Sequence, residues 1–65
     1  MKKQRLENKY NVKVNSLKWE TGWNGLYEFA VVGNFCVYHE FECDDYRVTL
    51  DNSVYHWFVD LSKYM

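Results

Sequence analysis

Polar and apolar positions alternate along most of this chain, and the places where alternation stops mark its turns. Val12 and Val14 alternate with Lys13 and Asn15; after a one-residue slip near Ser16, Leu17 and Trp19 alternate with Lys18 and Glu20. Period two with a slip predicts a strand carrying a bulge. ETGWNG (20–25) is dense in turn formers. LYEFAVV (26–32) and FCVYHEF (35–41) then form two β-branched and aromatic runs joined by Gly33-Asn34, a hairpin signal in which glycine supplies the positive φ of a tight primed turn. CDD (43–45) makes the next turn, and YRVTL (46–50) meets SVYHWFV (53–59) across Asp51-Asn52.

The two ends are less regular. In KKQRLENKY only Leu6 and Tyr10 are apolar, so residues 1–11 read as a basic arm or one short helix preceding a single β-rich domain over 12–65. In the last segment, Val54, Trp57, Phe58 and Leu61 fit a helical face that Asp51 or Ser53 could cap. Pairing the segment back as a strand instead puts Tyr46, Val48, Leu50, Tyr55, Trp57 and Val59 on one face, and the β-branched and aromatic composition agrees with that pairing. The expected fold is mainly β: a single small domain built as a five-strand antiparallel meander or small barrel. The alternative is a four-strand antiparallel sheet with one C-terminal helix.

A two-residue turn at Gly33-Asn34 sets the register of the central hairpin. Val32 faces Phe35, Ala30 faces Val37, Glu28 faces His39 and Leu26 faces Phe41. On the other side Val31 meets Cys36, Phe29 meets Tyr38 and Tyr27 meets Glu40. Both faces are substantially apolar, whereas a sheet with one wet side alternates more cleanly. Closure into a barrel, a covering helix, or a covering protein would each account for this.

Composition narrows the class. A domain of 65 residues buries only about 60% of its unfolded-chain surface. Aromatic residues, 20% of the chain, compensate through their large buried area. Without proline and with three glycines, neither linker nor disorder is indicated. No apolar run is long enough to span a membrane, and the first nineteen residues lack the apolar stretch of a signal peptide, so a cytoplasmic location is expected. Cys36 and Cys43 lie seven positions apart in one strand-like stretch, roughly 23 Å at ~3.3 Å per residue, too far for a bridge. Reduced thiols are expected.

The net charge of −1 conceals a split. Residues 1–19 carry six cations, among them Lys2, Lys3, Arg5 and Lys9, against Glu7 alone, a net of +5. Residues 20–65 carry eight acids against Arg47 and Lys63, a net of −6. Such asymmetry bears on partners rather than fold.

The densest chemistry is YHEFECDDY (38–46). Side chains alternate across a strand, so His39 and Phe41 share one face while Tyr38, Glu40 and Glu42 share the other, and Asp44 and Asp45 fall in the turn. A zinc reading through Cys36, His39, Cys43 and His56 uses suitable ligand types but fails because positions 36 and 39 face opposite ways. Glu28–His39 is the one acid–base couple in view. There is no phosphate loop, no nucleophile motif and hardly room for a substrate cleft, so neither an enzyme nor a cofactor is expected.

The expected role is a small non-catalytic protein-interaction module. Its acidic, aromatic sheet surface, formed by Glu40, Glu42, Asp44, Asp45, Tyr38 and Tyr27 with Trp23 as an anchor, would engage a basic partner such as the nucleic-acid-binding cleft of a host protein. Abundant Lys, Asn and Tyr in so short a chain is what A+T-rich coding produces, which points to a phage or mobile-element inhibitor acting in the host cytoplasm. A homodimer is compatible with the charge split. The alternative role is a small nucleic-acid-binding protein using the basic arm of Lys2, Lys3, Arg5 and Lys9 with aromatic stacking. It is disfavoured because an acidic sheet would repel phosphate.

Overall fold

The computed structural model describes all 65 residues. Helix α1 (Lys3–Tyr10) leads through a 3₁₀ turn at Val14–Ser16 into the strands β1 (Glu20–Thr21), β2 (Tyr27–Val32), β3 (Phe35–Glu40), β4 (Asp45–Leu50) and β5 (Ser53–Val54); a second such turn lies between β1 and β2, and a last one at Leu61–Tyr64 closes the chain. The strands pair antiparallel in chain order, giving the expected five-strand meander. β1 and β5 are its two edges and do not pair with each other, so the sheet is open rather than a closed barrel.

Turn chemistry explains the two tight hairpins. Gly33 has φ +60° and Asn34 stays at negative φ, the II′ pattern with glycine first. Asp51 and Asn52 both have positive φ, 52° and 66°, the I′ pattern. The register across β2 and β3 is the one counted from the sequence, with Glu28 opposite His39 and Ala30 opposite Val37. β4 extends it, placing Val48 against Val37 and Tyr46 against His39.

The first strand differs from expectation. Val12, Val14 and Leu17 are buried, yet residues 12–19 are not in the sheet; β1 begins at Glu20. The segment wraps the core as a loop fixed by side chains: the Val14 amide donates to Glu7 Oε2 at 2.8 Å and Trp19 Nε1 donates to the Val14 carbonyl at 2.9 Å. The alternation there records which residues turn inward, not a hydrogen-bonded ladder.

The last segment differs too. β5 ends at Val54; the Tyr55 amide makes one more bond to the Val48 carbonyl at 2.8 Å, and the chain then leaves the sheet. It runs to α1, where the Tyr10 hydroxyl donates to the Tyr55 carbonyl at 3.0 Å and Asn11 donates to Asp60 Oδ1 at 3.1 Å. Trp57, expected on the inner face, is exposed, and Leu61 enters the core in its place.

One face of the sheet carries the core. Ala30, Val32, Phe35, Val37, Tyr46 and Val48 meet Leu6 and Tyr10 of α1 and Leu61 of the tail. An eight-residue helix is marginal alone, so its Leu6–Tyr10 stripe, one turn apart, holds it in place by packing.

Candidate interaction surface

The opposite face of the sheet has no element over it. Tyr27 and Phe29 of β2 stand beside Tyr38 of β3, with ring centroids 5.8 to 6.4 Å apart in each pair. The Arg47 guanidinium lies 5.2 Å from the Tyr38 ring and donates to Glu40 Oε1 at 3.0 Å. Val31, 65% exposed, and Val54, 49% exposed, extend this face toward the other end. The Tyr27 ring also lies directly on the backbone of Gly22, so close that a Cβ there would collide with it. Trp23 follows at once and is 70% exposed.

On the core side, His39 is held between two carboxylates. Nδ1 meets Glu28 Oε2 at 2.8 Å and Nε2 meets Asp44 Oδ1 at 2.7 Å. Its ring stacks on Tyr46 and touches Phe41 and Trp19 edge-on. Burial alone would lower the imidazole pKa, but the hydrogen bonds to Glu28 and Asp44, and their charge, carry it above the usual 6.5. With a carboxylate at each nitrogen, this geometry favours the imidazolium, in which both nitrogens donate. Neither nitrogen is left for a substrate.

The acidic cluster is therefore largely consumed within the fold. Asp44 pairs with His39, and Glu40 with Arg47. Asp45 accepts from the Met1 amino group at 2.7 Å, which holds its carboxyl below the usual range. Glu42 lies exposed in the turn before β4 without a partner. The cations are treated differently: Arg47 alone among the lysines and arginines is in an ion pair.

Of the residues singled out in the sequence, Tyr27, Tyr38 and Glu40 come together on the open face, with Trp23 near its end. Asp44 and Asp45 turn away to His39 and Met1. Lys2, Arg5 and Lys9 line one flank of α1, while Lys3 lies outside that group. Phe29 and Arg47 belong to the open surface and were not singled out, although the counted register already set Phe29 beside Tyr38. Cys36 lies on the open face and His39 on the core face. No three His, Cys, Asp or Glu side chains converge on a point suited to a metal ion, and both cysteines are free. No helix is long and apolar enough to cross a membrane. No protein-family model, curated protein or solved structure matches the chain.

Proposed function

We propose that this protein is a non-catalytic interaction module that docks another protein on the open face of its sheet. The observation that carries the reading is the half-exposed Tyr27–Phe29–Tyr38 cluster, flanked by exposed Val31 and Val54. Three mutually packed rings on a rigid sheet present large contact area whose ordering entropy the fold has already met. α1 and the tail both lie on the other side, which leaves a partner as the remaining cover for an apolar face.

The occupant that fits is a protein surface bearing arginine. Arg47 over Tyr38 shows that these rings accept a guanidinium, and Glu20, Glu40 and Glu42 supply acceptors around them. A basic cleft of a nucleic-acid-binding protein has this character, and occupying it would make the chain an inhibitor. In that form the charge comes chiefly from Glu42, with Glu40 shared with Arg47, since Asp44 and Asp45 are engaged internally.

The test is retention of a defined partner from the native host by wild type, by Phe29→Ser/Tyr38→Ser, and by Glu40→Lys/Glu42→Lys. Far-UV circular dichroism confirms the fold of each. The aromatic double variant should lose the partner at unchanged fold, and the charge variant should weaken it. A partner retained equally by all three would overturn the reading.

A further inference from the structure

A second surface lies on the side of the molecule that the open sheet face does not reach. Lys2, Arg5 and Lys9 fall along one flank of α1, over roughly 10 Å at 1.5 Å per residue. They border a shallow concavity of about 910 Å³ that Phe58 also lines. Phe58 is 79% exposed, and it stands there because the chain leaves the sheet after Val54 and runs along α1. None of the three cations is in an ion pair; the Lys2 ammonium donates to the Cys43 carbonyl at 3.3 Å and the Lys9 ammonium sits 5.4 Å from the Tyr10 ring. The one acid bordering the concavity, Asp45, is paired with the Met1 amino group.

We infer that this concavity is a binding site for single-stranded nucleic acid, with phosphates on Lys2, Arg5 and Lys9 and an unpaired base on Phe58. Cations and a free ring lining one concavity are the two parts such a site requires. A duplex keeps its bases out of reach of the ring. A bilayer surface is a poor fit because the apolar stripe of α1, Leu6 and Tyr10, is fully buried, which leaves Phe58 as the one exposed ring beside the cations. The objection from charge, that the acid-rich sheet repels phosphate, is weakened in the fold. Glu28, Glu40, Asp44 and Asp45 are each paired internally, and Glu40 lies on the opposite face of the sheet from α1.

The probe is a short fluorescein-labelled oligothymidylate, free or annealed to its complement, titrated with untagged full-length protein and read by anisotropy. The single strand should bind at low salt, with log Kobs falling against log salt at a slope of about −2, since each neutralised phosphate contributes about −0.7. Arg5→Glu/Lys9→Glu should weaken binding by at least about tenfold through the same phosphate contacts. Phe58→Ala should weaken it roughly five- to a hundredfold, the range for losing one stacked base. Arg5 and Phe58 are exposed and Lys9 is half-buried, and circular dichroism verifies that the variants fold. Phe29→Ser/Tyr38→Ser should bind the oligonucleotide as wild type does, which separates this site from the sheet face. The inference is overturned by no binding at low salt, by equal binding of the duplex with no effect of Phe58→Ala, by preference for phosphatidylserine vesicles, or by loss in the sheet variant.

Discussion

The imidazole of His39 lies flat on the ring of Tyr46, centroids 4.1 Å apart and planes within 4° of parallel. The two residues face each other across β3 and β4, and Trp19 meets both rings edge-on. Glu28 grips the imidazole from the neighbouring strand and Asp44 from the turn, so one side chain ties together β2, β3 and the β3–β4 connection. Burial, then the nearby Asp44, Glu28 and Glu7 carboxylates, raises the Tyr46 hydroxyl pKa above 10, so the ring remains neutral beside the cation.

This clamp makes stability depend on pH. The folded-state pKa of His39 lies above the unfolded 6.5, so its contribution is fully present below about pH 6.5 and is lost as pH rises through the higher folded value. The thermal midpoint should fall across that window. His39→Gln, which has no titrating proton, should flatten the dependence there and lower stability on the acidic side, as thermal scans over a pH series would reveal.

Leu6→Ala tests whether α1 is part of the core. Leu6 is fully buried, and its truncation should cost about 2–5 kcal/mol. That is comparable to the whole stability of a domain this size, roughly 3–10 kcal/mol. Urea denaturation should show the midpoint collapse, whereas Asn8→Ala, on the outer side of the same helix, should leave it nearly unchanged.

The Asp51-Asn52 turn holds two non-glycine residues in the left-handed region. Asn52→Gly relieves that conformation at one of them, partly offset by the greater freedom of glycine in the unfolded chain. The net effect should be a gain of about 0.5 kcal/mol, measurable as a higher denaturation midpoint.

Gly22→Ala tests the support under Tyr27. At φ −82° and ψ −170° the backbone accepts alanine, but its Cβ would strike the Tyr27 ring. Ring-current shifts on Phe29 and Tyr38 should change while backbone shifts of residues 23–25 stay put, and partner retention should fall as it does for truncating the rings themselves. Unchanged aromatic spectra would show that Gly22 is not what positions Tyr27.

Much of this architecture was legible in the chain because its causes are local. Gly33-Asn34 and Asp51-Asn52 are dipeptides whose backbone preferences specify their own turns, and period-two alternation then dictates which side chains share a face. Glu28 beside His39, and Phe29 beside Tyr38, follow from counting outward from a turn. Nothing further is needed, since a slip of one residue would send every apolar group of the hairpin to the wrong side.

Tertiary structure decided what local pattern cannot encode. Alternation over Val12–Trp19 and over Ser53–Val59 is satisfied equally by a strand or by a loop that tucks every second residue inward. Which one forms depends on whether α1 occupies the core face, and that rests on two side chains, Leu6 and Tyr10, within a polar helix. The pairing of charges is decided the same way. Asp44 and Asp45 read as a free acidic pair until the fold brings His39 and Met1 to them, and Lys2, Arg5 and Lys9 stay available because the same packing places no carboxylate free to meet them.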